Sequence, residues 1–245
     1  MEYNASDSFE TRLHSIESRI AAAAERAGRD PGDIQLVAVS KTFPPEVIDE
    51  ALRAGVSILG ESKIQEALAK IPQCSSAEWH LIGHLQSNKV RHALSLFSTI
   101  HSIDSIALLE DVARIQEEIG RRPGILLQVN VSGEGSKTGF NPKVMRDAIN
   151  TALSLGNLDL VGLMTIPPWS PEPEQSRKYF RQLREMRDSL SAEFDIGLPE
   201  LSMGMSADFE VAIEEGATFV RIGSALFGKR SAWRPQRTPD SDDYI

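Results

Sequence analysis

Phe9, Leu13, Ile16 and Ile20 recur at helical spacing near the start of the chain, with mostly polar residues between them. This stripe predicts an amphipathic helix over 7–27, opened by Asp7 with Glu10 three residues on and ended by Gly28. Beyond it the pattern changes to short apolar, β-branched runs, each followed by a longer helical stretch. The runs predict strands at Gln35–Ser40, Val56–Leu59, Trp79–Ile82, Thr99–Ser102, Ile125–Asn130, Asp159–Met164, Glu200–Met203 and Ala217–Ile222. Helices are predicted over about 45–54, 62–71, 86–95, 105–119, 142–155, 172–193 and 207–215, with a short last one from Ser224.

Strict alternation of this kind requires parallel strands, because a parallel crossover needs a helix-length connection. Eight such units without a break form the set that closes a barrel. The expected fold is therefore α/β, a single (β/α)8 TIM barrel with an extra N-terminal helix. An open doubly wound sheet is the alternative, but it carries a Gly-rich turn after its first strand. Here that place is Ser40-Lys41-Thr42-Phe43-Pro44-Pro45, with no glycine. The stretch from Pro167 to Pro173 lies between strand six and helix six and reads as a loop. One domain is expected over 1–230, followed by a flexible tail at 231–245 with Pro235, Pro239 and an Asp-rich end.

Composition narrows the function classes. The 245 residues, 41% hydrophobic and 25% charged, suffice for one large core. A net charge of −9 argues against a nucleic-acid surface. The lone Cys74 cannot form an internal disulfide, and no apolar run approaches the roughly 20 residues that span a bilayer. Met1 to Glu10 has no basic stretch followed by an apolar one, so a cytoplasmic protein is expected, without membrane attachment.

In a barrel of this type the chemistry sits at the C-terminal ends of the strands. There the sequence places Lys41, Gly60-Glu61-Ser62, Gly83-His84, Asn130, Met164-Thr165, Ser202-Met203-Gly204-Met205-Ser206 and Arg221-Ile222-Gly223-Ser224. Phosphate sites recur after strands seven and eight, and two Gly-Ser turns lie there side by side, with Ser206 expected at an N-cap. Closure pairs strand one with strand eight, which brings Lys41 beside that cradle. Lys41 shares the parity of Val37 and Val39. A desolvated lysine next to a fixed cation has its ammonium form disfavoured, which exposes the amine as a nucleophile. An activated lysine beside a phosphate site suits a phosphorylated aldehyde, and pyridoxal 5′-phosphate (PLP) is one.

These residues carry a resemblance. Val39-Ser40-Lys41-Thr42, the run Trp79 to Lys89, Val129-Asn130 with Glu134, Lys137 and Gly139, and Gly162 to Thr165 match a known set in order. Leu201 to Ser206 with Asp208 and Glu210, and Val220 to Gly223 followed by Phe227-Gly228, complete it. Over about Leu36 to Lys229 the chain resembles the PLP homeostasis proteins, whose barrel is similar to the N-terminal domain of alanine racemase. The resemblance implies that Lys41 carries the Schiff base, that Ser206, Gly223 and Ser224 hold the phosphate, and that Arg221 faces the pyridine nitrogen. Met205 would add a backbone or packing contact. It further implies a cofactor carrier or regulator, with PLP and apo PLP-dependent enzymes as partners and no turnover of its own.

In one place the chain departs from the family. The family's Gly-Glu-Asn and aromatic residue after strand two are here Gly60-Glu61-Ser62-Lys63, and serine offers fewer hydrogen bonds than asparagine. The alternative function is a PLP-dependent amino-acid racemase. That needs a second acid–base group opposite the lysine, and the only tyrosines, Tyr3, Tyr179 and Tyr244, lie in no predicted barrel-top loop. A phosphosugar enzyme using Lys41 would want partner carboxylates at strand ends, where only Glu61 qualifies.

Other signals read as structural. Gly133 to Thr138 lacks the glycines of a P-loop, leaving Lys137 as a loop lysine. His80 and His84 fall on a strand and its turn, so His80 is expected to be a hydrogen-bonded core residue and no metal is expected. Trp79 and Phe219 are expected in the core. Asp208, Glu210, Glu214 and Glu215 are expected on a solvated helix face.

Overall fold

The computed structural model describes residues 7–74, 76–135, 137–228 and 233–235. Among them, eight parallel strands close into a barrel in sequence order, β1 pairing with both β2 and β8. The strands are β1 Gln35–Val39, β2 Ile58–Glu61, β3 Glu78–Leu81, β4 Thr99–Ile103, β5 Gly124–Gln128, β6 Asp159–Met164, β7 Glu200–Met205 and β8 Phe219–Ile222. The helices are α1 Phe9–Arg26, α2 Pro45–Arg53, α3 Ile64–Lys70, α4 Val90–Leu96, α5 Ile106–Ile119, α6 Met145–Leu155, α7 Arg177–Phe194, α8 Phe209–Glu214 and α9 Ser224–Phe227.

Alternation along each strand divides the core in two. Ala38, Leu59, Leu81, Ile100 and Val220 point outward into a large shell beneath the helices. Val37, Ile58, Leu126, Met164 and Phe219 point inward and form a small apolar plug. The N-terminal helix lies outside the barrel, against its last two helices. Its stripe is buried, the Phe9 ring meets Phe227 at 5.3 Å, and Arg19 pairs with Glu210 at 3.1 Å. Its cap is Ser8, whose hydroxyl accepts from Thr11 N–H at 3.2 Å, in place of the expected Asp7.

The strand ends lie within two residues of expectation, β5 stopping at Gln128 and β8 starting at Phe219, and two shifts bear on the mouth. Val56 still closes the end of α2, its N–H donating to Ala51, so β2 starts two residues late and ends on Glu61. Strand β7 continues through Gly204 to Met205. Both shifts carry residues expected in mouth loops into the barrel wall. Of the expected tail, only 233–235 belongs to the described residues. There the Trp233 ring lies 4.9 Å from the Lys70 ammonium.

Candidate functional site

The half of the barrel mouth at β7 and β8 is built from backbone turns. Gly204 has φ +88°, and a Cβ there would lie 2.5 Å from Ala212 Cβ and 2.9 Å from Phe209 Cα. Only glycine lets β7 run this close to the start of α8. The next N–H, of Met205, donates to Asp208 Oδ1 at 2.8 Å. Asp208 is thus a buried turn clamp and does not belong to a solvated face. It also takes the N-cap place expected of Ser206.

Ser206 serves differently. Its hydroxyl lies 3.5 Å from that of Ser224 and 3.4 Å from Ala225 N, so the two turns converge on one spot. Gly223 caps α9, and a Cβ on it would touch Val39 of β1 at 3.4 Å. The cradle therefore abuts the strand that leads to Lys41. Closure joins the two in register as expected, with Val37 beside Arg221 and Ala38 beside Ile222.

Arg221 points inward from β8 and is buried. Two of its five N–H donors are taken by the protein, through Nη1 to Ser202 Oγ at 2.5 Å and Nη2 to the Thr165 carbonyl at 2.9 Å. Burial lowers its pKa to about 10, partly opposed by Asp208. At neutral pH it remains a cation. Beneath it, His101 Nδ1 lies 2.7 Å from Ser202 Oγ, and His101 Nε2 lies 3.0 Å from His80 Nδ1. His80 is the hydrogen-bonded core residue expected, and its other nitrogen meets Glu78 at 3.0 Å. Burial, with His80 and Arg221 nearby, holds the His101 pKa well below the usual imidazole value.

The opposite half, at β1 and β2, is built on buried ions. Lys41 is partly buried in the turn after β1. On its N-terminal side, the Ser40 carbonyl accepts from Lys70 Nζ at 2.9 Å and the Ser40 hydroxyl donates to Glu61 at 2.8 Å. On its C-terminal side, Thr42 N–H donates to Glu66 at 2.7 Å. Lys70 joins both carboxylates, at 2.6 Å to Glu61 and 3.3 Å to Glu66, with Lys70 and Glu61 fully buried. Thr42 adopts φ +67°, costly for a β-branched residue, and its Oγ1 is buried without a protein partner. Burial raises the Glu61 pKa while Lys70 and Ser40 pull it down.

Glu66 and Lys70 were not expected at the site. Their four-residue spacing on α3 was visible, but such pairs usually face solvent. Glu61 was expected as a mouth carboxylate and is instead the buried partner of Lys70. Lys137 pairs with Glu134 at 3.7 Å, in a loop held by Asn130. His84 meets Asp104 at 3.0 Å on the surface, away from His80. Among the described residues no three His, Cys, Asp or Glu side chains gather as a metal site. Trp79 is buried and Phe219 lies inside the barrel, as expected. Glu210 and Glu214 pair with arginines of α1, but Glu215 is buried beneath Arg177, Arg181 and Arg184 instead of facing solvent. Tyr179 lies within α7 beside Lys178, and Tyr3 and Tyr244 fall outside the described residues. No helix among the described residues is long and apolar enough to cross a membrane.

The fold and this arrangement define a class. Residues 11–231 match the model of the alanine racemase N-terminal domain family. Within that class the relatives are specific. The pyridoxal phosphate homeostasis protein of Aquifex aeolicus is 46% identical over 221 residues, covering 89% of this chain and 97% of the relative. Its namesake from Pseudomonas aeruginosa is 43% identical over 226 residues, covering 91% and 96%. The structure of PipY from Synechococcus elongatus with PLP bound superposes with a TM-score of 0.80 at 38% identity, covering 90% of this chain and all of that one. The chain belongs to the pyridoxal phosphate homeostasis protein family.

Proposed function

We propose that this protein binds PLP as a Schiff base on Lys41 and acts in the cell as a carrier or regulator of the cofactor, handing it to apo PLP-dependent enzymes without turnover of its own. The observation that carries the reading is the junction of β8 and β1. A buried cation with unused donors and a pair of converging hydroxyls lie at the ends of β7 and β8, and the neighbouring strand β1 leads to a lysine whose flanking residues are held on both sides. The donor set fits the molecule. Hydroxyls and amides at Ser206, Gly223 and Ser224 suit a phosphate, with Met205 fixing the edge of that turn. Arg221 suits an acceptor nitrogen. The solved relative with PLP bound supports the same ligand.

When bound, PLP supplies a reactive aldehyde and a ring that withdraws electrons best with its nitrogen protonated. Arg221 can only donate, so a nitrogen facing it stays unprotonated and the ring is a weak electron sink. A racemase also needs a second acid–base group opposite Lys41, and none of the tyrosines among the described residues offers one. Residues 1–230 act as the binding unit in this reading. Borohydride reduction of the purified protein with PLP, then peptide mapping, tests it: the pyridoxyl group is expected on Lys41. The unreduced sample is expected to load an apo-enzyme and to place no deuterium at Cα of L-alanine in D₂O. An adduct elsewhere overturns the assignment of Lys41, and rapid exchange with many turnovers overturns the carrier role.

A further inference from the structure

We propose that Glu78, His80, His101 and Ser202 form a one-directional hydrogen-bond relay through the barrel that positions Arg221 as a fixed donor toward the mouth. The chain crosses four strands, from Arg221 on β8 through Ser202 on β7 and His101 on β4 to His80 and Glu78 on β3. Its links are 2.5, 2.7, 3.0 and 3.0 Å long, within hydrogen-bond range. Its two ends are chemically fixed. A guanidinium has only donors, and an ionised carboxylate only acceptors. Glu78 is half exposed at the barrel floor, and its hydrogen bond with His80 draws its pKa below the usual carboxylate value.

The ends dictate the middle. Ser202 Oγ accepts from Arg221, which leaves its own hydrogen for His101 Nδ1. His101 then carries its proton on Nε2 and donates to His80 Nδ1. His80 likewise carries its proton on Nε2 and donates to Glu78. The reverse order would set a bare His80 nitrogen against a carboxylate, unless His80 carried both protons. The Phe219 ring, 5.3 Å from both imidazoles, keeps their surroundings apolar. Low dielectric strengthens such a chain, and each member polarises the next.

Beyond the relay, Asp208 is the charge that faces Arg221, and the Ser98 hydroxyl joins Glu78 at 3.0 Å. Glu78 also borders a cavity of about 680 Å³ at the floor, between α1 and the starts of β1 and β2. The relay therefore ties the mouth to solvent at the far end of the barrel. Ser202, His101 and His80 act through Arg221 and are positioning residues.

This inference rests on Arg221 facing the pyridine nitrogen, and two measurements separate the two ideas. The first is ¹⁵N NMR of histidine-labelled apoprotein at pH 8, which involves no PLP. Both His80 and His101 are expected as neutral Nε2–H tautomers, and Nδ1–H on either overturns the relay. The second is the visible absorbance of the PLP-loaded protein against pH. Ser202→Ala and His101→Phe are expected to move its midpoint by about one unit, the size of one lost charge-assisted hydrogen bond, and Ser202→Thr to restore it. Arg221→Gln is the control. If Arg221→Gln shifts the midpoint and the other two do not, the relay is overturned while the placement of Arg221 stands. If Arg221→Gln leaves it unchanged, that placement fails and the relay's proposed role falls with it.

Discussion

The two halves of the barrel mouth solve the same problem with different means. At β7 and β8, polar groups are brought together by tight turns, where Gly204 and Gly223 let chains approach and Ser206 and Ser224 follow within two residues. At β1 and β2, the residues on either side of Lys41 are held by three buried acidic and basic side chains that come from β2 and from α3, some 20 to 30 residues away. The first device is local and tolerant, since losing one donor leaves backbone geometry in place. The second is closed and unforgiving, because a buried charge without its partner is expensive. Substitutions should therefore divide sharply, with the β7–β8 half losing ligand and the β1–β2 half losing fold.

The largest effect is expected at Lys70. Lys70→Met leaves Glu61 and Glu66 facing each other in a buried site, and breaking such a network costs about 3–5 kcal/mol. Urea unfolding of the apoprotein measures it. Neutralising both carboxylates in addition, with Glu61→Gln and Glu66→Gln, should recover most of the loss. A cost below about 1 kcal/mol, typical of a surface pair, would erase the distinction between the halves.

That asymmetry also explains what could be read from the sequence. The barrel was legible because eight short apolar runs each precede a helical stretch, and closure then sets β1, which leads to Lys41, beside β8 without any further information. The cradle was legible because its chemistry is consecutive: glycine, one residue and serine in the first turn, glycine and serine in the second. Ser206 nevertheless has a different task from the one expected, since Asp208 two residues on takes the N-cap place while its carboxylate holds Met205 N–H. Lys70 and Glu66 were hidden because a helical Glu–Lys pair is the commonest surface pattern, and only the packing of α3 against β2 and the turn after β1 buries it. The relay was half visible. His80 was seen as a core residue, but His101 and Ser202 come from strands far apart in sequence, and only barrel closure brings them together.

A smaller, purely ligand-directed effect is expected at Ser206. Removing one hydrogen bond to a charged group costs about 1.5–3 kcal/mol, so Ser206→Ala should weaken PLP binding roughly tenfold or more. Binding of unphosphorylated pyridoxal should change little, and apoprotein stability should stay within about 0.5 kcal/mol of the parent. Fluorescence titration with the two ligands gives the first two numbers and urea unfolding the third. Equal losses for both ligands would place the phosphate elsewhere. A large stability loss would show that the β7–β8 half is as closed as its neighbour.

The smallest effect separates the halves by the sign of their response to acid. His101 has its folded pKa held well below the imidazole value of 6.5, first by burial and then by His80 and Arg221. Below pH 6.5 the unfolded chain therefore takes up a proton that the native state refuses, so stability falls with pH until the folded value is reached. For one such group the loss between pH 7.5 and 5.5 is about 1.4 kcal/mol. His92, also lowered by burial, acts in the same direction. Glu61 behaves oppositely. Its folded pKa is raised by burial, so the native state holds a proton more readily than the unfolded chain above pH 4.5. Its contribution is complete below the unfolded value and is lost as pH rises through the folded one. Unfolding free energies at pH 7.5, 6.5 and 5.5 should thus fall on acidification in the parent protein and fall less in His101→Gln. In Glu61→Gln they should fall more steeply than in the parent, because the opposing group is gone. Parallel slopes in all three proteins would mean that neither His101 nor Glu61 keeps its ionisation apart from solvent, and the contrast between the two walls of the mouth would then be one of geometry alone.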